Sequence, residues 1–325
     1  MFGLIFIPLL AVHLLLVNVA MGGPFVCLWL EWRGTRRDDL LAAKIGERLA
    51  RDVVWSLLLA AIVGISMVGL LWFMTDKAYF RGVEAVPVAR LWAALGELVF
   101  SLALLAIYAF AWNWFRPRRW LHRTVALLAG TNLIYHFPPF FAAIALLGNT
   151  PRYWGKTLSS AEFRGVLFDP FVISQSVHVW LASLAVVGTV LMFYALRLQK
   201  KNRAELGPQP TIIAGWGAWL ALVPTLMQLV VGAWVLFTMA EADRNRLLGD
   251  STAAAIVFAA AILAALRLMH LLAMIAFGDR TPRQLKSAIV MMLVTILLMS
   301  ATLHISSERE ELEVSQRKDV MQYGT

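Results

Sequence analysis

The chemistry in this sequence is concentrated in a few ionisable side chains set within long apolar stretches: His13, Glu97, His136, His178, Arg267, His270 and, near the last stretch's end, His304. Asn18, Asn132 and Gln228 are uncharged companions in the same stretches. His122 falls in a basic connection and reads as a solvated residue. An ionisable group inside hydrocarbon is costly, so it faces a bundle interior and marks a functional site. A buried imidazole stays neutral, keeping one nitrogen for iron while the other donates a hydrogen bond. Haem b needs no covalent motif. It needs axial side chains on facing helices, small residues that make room, and often cations near its propionates. Each histidine could equally make an interhelical hydrogen bond. The single Cys27 excludes C-x-x-C-H haem attachment, an iron–sulfur cluster held by this chain alone and an internal disulfide.

Arg267 cannot lose its proton and needs an anion close by, either a haem propionate or Glu97. At about 100° per residue, His270 lies roughly 60° around the helix from Arg267 and Met269 roughly 160° from it, so Met269 and His270 cannot ligate one iron together. A methionine on an apolar helix is ordinarily packing. Glu97, the one acid in mid-stretch, could be an axial carboxylate, a proton relay or the partner of Arg267. Pro138 and Pro139 follow His136 and free backbone carbonyls that need partners, at a kink or a cavity wall.

The elements that must hold these groups follow from composition. The chain has 325 residues, 60% hydrophobic and 15% charged. A soluble core cannot absorb that excess, so the solvent is lipid. This excludes a disordered chain, a disulfide scaffold and an ordinary cytosolic enzyme. The net charge of +9 reads as basic cytoplasmic loops, not as nucleic-acid binding. Eight apolar stretches run over 4–30, 53–74, 91–115, 124–148, 170–197, 211–239, 253–278 and 284–305, each near the roughly 20 residues that cross a bilayer. The first reads as a retained span, not a removed signal. Odd-numbered connections carry the basic residues: Arg33 to Arg51, Arg116 to Arg123, Arg197 to Arg203, and Arg280 to Lys286. These face the cytoplasm, which puts both termini outside a bacterial-type inner (plasma) membrane. Trp29, Trp32, Trp72, Trp92, Trp112, Trp114 and Trp154 sit at span ends as interfacial anchors. The longest connections, 31–52 and 149–169, are too short to fold alone.

Ala20 and Gly23 follow His13 at seven and ten residues, as Ala185 and Gly188 follow His178. The sequence therefore predicts an all-α polytopic membrane protein: eight transmembrane helices in two pseudo-repeated four-helix bundles, at 1–148 and 149–305, with a polar external tail at 306–325.

On these residues the chain resembles subunit I of cytochrome bd quinol oxidases. HLLLVNVAMGG at 13–23 is similar to that family's first helix with its haem-ligating histidine. The segment at 171–202, which contains VHVWLASLAVVG, is similar to the fifth helix, whose histidine holds the low-spin haem. LRLMH at 266–270 is similar to the family's R-x-M element. A looser likeness covers 96–115 and 129–133. The resemblance implies that His178 and Met269 ligate one haem b, with Arg267 near a propionate, and that His13 ligates a second haem. Glu97 then matches one of two carboxylates on the third helix. The family's G-R-[EQ]-P-W signature, its long external loop after span six and a ninth helix have no counterpart here. These departures weigh against oxygen reduction and leave intact a haem-bearing bundle that moves electrons. His136 and His270 lack family counterparts.

The expected function is thus that of a quinol oxidoreductase or electron-transfer subunit. It is a b-type cytochrome with two or more haems, taking electrons from quinol or a partner subunit, and able to reduce oxygen where an axial position stays open. His13 with His136 is one candidate pair, and His178 with Met269 or His270 the other. The expected partners are membrane lipid, quinol, and a second membrane subunit or cytochrome c. The alternatives are a haem-free quinol-binding anchor of a respiratory complex, similar to polysulfide-reductase-type membrane subunits, and a transporter using Arg267 and Glu97.

Overall fold

A computed structural model describes residues 2–74, 77–201 and 208–307. Arg203 and the polar tail from residue 308 on lie outside the described residues. Eleven α-helices follow in order: α1 (Phe2–Arg36), α2 (Leu40–Met74), α3 (Lys77–Ala85), α4 (Val88–Phe110), α5 (Arg119–Asn149), α6 (Ser160–Leu167), α7 (Pro170–Lys201), α8 (Gln209–Thr238), α9 (Glu241–Asn245), α10 (Thr252–Ala276) and α11 (Pro282–Ser307). Among the described residues there are no strands. Eight of these helices, α1, α2, α4, α5, α7, α8, α10 and α11, are long and apolar enough to cross a membrane. The chain is a multi-pass membrane protein.

The helices outrun the apolar stretches at the arginine-rich side. The expected 31–52 connection shrinks to residues 37–39, because α1 continues to Arg36 and α2 begins at Leu40. Asp39 makes the turn. Its Oδ1 accepts from the Ala42 amide at 3.0 Å and its Oδ2 accepts from Arg33 Nε at 2.8 Å. A carboxylate here satisfies a free amide of α2's first turn and meets the positive end of that helix. Partial burial pushes the Asp39 carboxyl up, but the Ala42 amide and the Arg33 guanidinium outweigh it and hold the group below the usual carboxylate range.

Packing pairs occur twice in the same pattern. In the first bundle α1 packs on α2, α2 on α4, α4 on α5 and α5 on α1; in the second, α7, α8, α10 and α11 do the same in that order. The bundles meet through α1 against α7, flanked by α5 against α7 and α1 against α11. Small residues permit the closest crossings. A Cβ on Gly188 of α7 would lie 2.6 Å from Gly217 O and 2.7 Å from Ala221 N of α8. A Cβ on Gly22 of α1 would lie 2.5 Å from Ser183 O of α7.

The diproline of α5 is a packing joint. Pro138 has no N–H to give to the carbonyl four residues earlier, that of Ile134. Trp180 of α7 fills the vacancy, its Nε1 donating to Ile134 O at 2.9 Å. On the arginine-rich side, Tyr194 of α7 donates to Asp52 Oδ2 of α2 while Arg48 lies over its ring, and Arg33 of α1 lies over Trp216 of α8. Of the tryptophans expected as interfacial anchors, Trp29, Trp32, Trp72, Trp92 and Trp114 are exposed, but Trp112 is buried.

Candidate histidine sites in the two bundles

His13 lies on α1 and turns toward α2. Its Nδ1 is 3.0 Å from Ala60 O. A carbonyl only accepts, so Nδ1 carries the proton and Nε2 keeps its lone pair. That is the tautomer of an axial imidazole with a backbone carbonyl behind it. Gly64, one turn beyond Ala60, clears the ring: a Cβ there would lie 3.0 Å from His13 Cε1.

His178 holds the corresponding place on α7. Gly232 of α8 faces it, and a Cβ there would lie 3.8 Å from His178 Cε1. The His178 Nδ1 atom is sealed from solvent with no hydrogen-bond partner among the described residues. A sealed polar nitrogen left unsatisfied costs free energy, and an iron or a hydrogen-bonding group that reached the ring would remove that cost. Gln228 Nε2 donates to the His178 carbonyl at 3.5 Å. Among the described residues no three His, Cys, Asp or Glu side chains converge as a metal cluster.

The other expected site residues are dispersed. His136 of α5 faces Glu97 of α4, with Nε2 4.0 Å from Oε1, so His136 is not directed at His13, which faces α2. Asn132, one turn from His136, donates to Glu97 O at 3.1 Å and to Ser101 Oγ at 2.8 Å. On α10, Met269 is buried, whereas Arg267 and His270 are exposed on the helix's outer face. Arg267 has no hydrogen-bond or ion-pair partner among the described residues, and Glu97, one of its two candidate anions, lies against His136 instead. Met269 and His178 also differ in level. Arg280 joins the end of α10 to the start of α8, donating to Ala276 O and Thr211 O, and Met269 lies about 10 Å from that end, whereas His178 lies beside Gln228 and Gly232, about 25 Å along α8 from Thr211. An iron with two axial ligands spans far less than that difference.

Sequence reasoning missed a fully buried histidine. His122, expected to be solvated, is 0% exposed. Its Nδ1 is 2.9 Å from Glu31 Oε2 and its Nε2 is 2.8 Å from Tyr108 O. Tyr108 OH donates to Glu31 Oε2 at 3.1 Å, and Arg119 Nη1 donates to Oε1 at 3.4 Å. Tyr108 stacks on the imidazole with centroids 4.2 Å apart, and Trp112 and Phe115 close the remaining sides. Trp112 is buried here because it walls this box. A signal was available in the sequence. His122 continues the stripe of Ala126, Ala129 and Leu133, all buried, at helical spacing.

No protein-family model matches the chain, and no curated protein matches it either. Among solved structures the chain is similar to the bd oxidase of Geobacillus thermodenitrificans, with a TM-score of 0.68 and 14% sequence identity over 95% of this chain and 84% of that one. At that identity the likeness is one of fold, and the fold of this chain is bd-oxidase-like.

Proposed function

We propose that the chain is a b-type haem membrane cytochrome subunit, with His13 and His178 each holding one haem b. It moves electrons from quinol or a partner subunit between the two haems. The observation that carries this reading is the His13 Nδ1 contact to Ala60 O, which leaves Nε2 free for iron. The sealed Nδ1 of His178 supports the second position. Haem bound at these sites supplies a one-electron carrier. The chain supplies the imidazoles, the glycines that admit them and, at Glu97, a carboxylate able to accept a proton. Met269, more than two helical turns from the level of His178, is assigned to packing in this proposal, and Arg267 to the outer face of α10.

Purified full-length protein expressed with ample haem supply is expected to show a Soret band, with haem b identified as its pyridine haemochrome. His13→Ala and His178→Ala each lose one haem, and the exposed-site control Val230→Ala loses none. A colourless wild-type protein overturns the reading. In that case the second reading, a haem-free quinol-binding anchor, takes its place. The separation in level between His178 and Met269 is the observation that favours it.

A further inference from the structure

Glu97 and His136 form a polar pair that the bundle does not enclose. Both sit well inside spans, on Val88–Phe110 and Arg119–Asn149. Their side chains nonetheless keep 32% and 39% of their accessibility, on a surface where the neighbouring Phe100 and Tyr135 are also exposed. That surface lies within the apolar depth of the spans. Water cannot be relied on there to satisfy a carboxylate or an imidazole.

The pair does not satisfy itself. Its 4.0 Å separation is beyond a direct hydrogen bond. The gap cannot close by a slip of the helices, because Asn132 ties α5 to Glu97 O and Ser101 Oγ one turn away. An oxygen seated about 2.7–2.9 Å from both atoms bridges them, donating to the carboxylate and meeting the imidazole nitrogen. Space for a ring adjoins the gap. On α4, Ala93 and Phe100 lie one turn either side of Glu97 on the same face, and Ala93 is small and exposed. On α5, the Tyr135 ring stands edge-on to His136, with centroids 5.0 Å apart and an interplanar angle of 83°.

We propose that this lateral gap between α4 and α5 is a binding site for a lipid-soluble ring hydroxyl, the headgroup of a hydroquinone. One hydroxyl bridges Glu97 and His136, the ring lies over Ala93 and against Tyr135, and the apolar tail stays in the bilayer. The inference rests on the reading that the chain handles quinol. It does not depend on haem.

The test uses the full chain in phosphatidylcholine nanodiscs and a photoreactive azido-benzoquinone with a decyl tail, reduced before use, with labelled peptides mapped by mass spectrometry. Label is expected in peptides covering 92–100 and 131–140, competed by decylubiquinol. Glu97→Gln and His136→Phe are each expected to lower labelling about tenfold, the scale of one lost polar anchor. His136→Gln, which keeps a donor and an acceptor, retains part of it. Ala93→Leu fills the ring space without touching the pair. It is expected to give the same loss and decides the matter should the polar variants fail to fold. Val230→Ala is unchanged.

Label mapping elsewhere, or undiminished labelling in folded Ala93→Leu, overturns the site. The Soret spectrum of the same preparations separates this failure from that of the haem reading. A colourless protein labelled at α4 and α5 sinks the haems and keeps the site, and a coloured protein labelled elsewhere does the reverse.

Discussion

Glu31 and His122 are 91 residues apart in the chain and 2.9 Å apart in the fold. Glu31 ends the last apolar turns of α1 and His122 stands in the first turn of α5. Because His122 Nε2 faces a carbonyl oxygen, that nitrogen must carry a proton. Tyr108 and Arg119 both donate to the same carboxylate. The result is a walled imidazole–carboxylate pair that fastens α1, α4 and α5 at the arginine-rich side.

Removing one member of a buried pair strands the other. His122→Ala and Glu31→Leu are each expected to destabilise the protein by about 3–5 kcal/mol. The double variant His122→Phe with Glu31→Leu removes both members of the pair and leaves Arg119 and Arg123, each about a quarter exposed, to solvent, so it recovers part of that loss. Thermal unfolding in detergent, followed by near-ultraviolet circular dichroism, measures all three. A double variant as unstable as the worse single variant shows that the two residues act separately.

Close crossings give a second expectation. Gly188 and Gly217 meet backbone to backbone, and a Cβ on Gly217 would lie 2.5 Å from Gly188 O. Backbone atoms cannot swing aside as a side chain can. Gly217→Ala should therefore part α7 from α8 at a cost of about 1–3 kcal/mol. Gly69→Ala on α2, where an added Cβ meets nothing within 4 Å, should instead stabilise by up to about 1 kcal/mol, through helix propensity. The two thermal midpoints must move in opposite directions.

The spans were legible because hydropathy over 20 residues is a strong signal, and α4, α10 and α11 lie where their apolar runs do. Helix ends were not legible. The charges from Arg33 to Arg36 and from Lys44 to Arg51 interrupt the apolar run, so 31–52 reads as a connection. In the fold those charges sit on helices that project beyond the apolar zone, and the turn is confined to residues 37–39. His13 and His178 stood out as intramembrane imidazoles. Which neighbour each faces depends on the rotation of one helix against another, and a single sequence does not encode that in local spacing. For the same reason the sequence leaves Arg267 between a haem propionate and Glu97, whereas the fold sets Glu97 beside His136 and turns Arg267 outward.

Asp39 supplies a pH dependence whose sign is fixed. Its folded-state pKa lies below the unfolded value, through the Ala42 amide and Arg33 and despite partial burial. Its contribution to stability is therefore fully present above the unfolded carboxylate value and is lost as pH falls through the folded one. Asp39→Asn keeps a capping oxygen and removes the charge. Compared with the wild type, it should be less stable by about 0.3–1 kcal/mol at neutral pH, and the difference should vanish at acid pH. A difference that persists below the folded-state value would assign the effect to the cap and not to the ionisation.

The glycines facing the two histidines separate a tight imidazole from a loose one. At Gly64 a new Cβ would stand 3.0 Å from His13 Cε1, while at Gly232 the same atom would stand 3.8 Å from His178 Cε1, an ordinary contact. Gly64→Ala therefore pushes the His13 ring and stretches its bond to Ala60 O, the contact that fixes the tautomer. Loss of such a supporting bond typically costs 10–100-fold in metal affinity. Gly64→Ala is expected to lower haem retention at the His13 position by about that factor and to leave the His178 haem in place. Gly232→Ala is expected to keep both. Haem-to-protein ratios after gel filtration, with optical spectra of the reduced protein, resolve the outcome. Equal loss from both variants would mean that glycine at these positions serves helix packing and not the imidazole, because only the shorter of the two distances forces the ring to move.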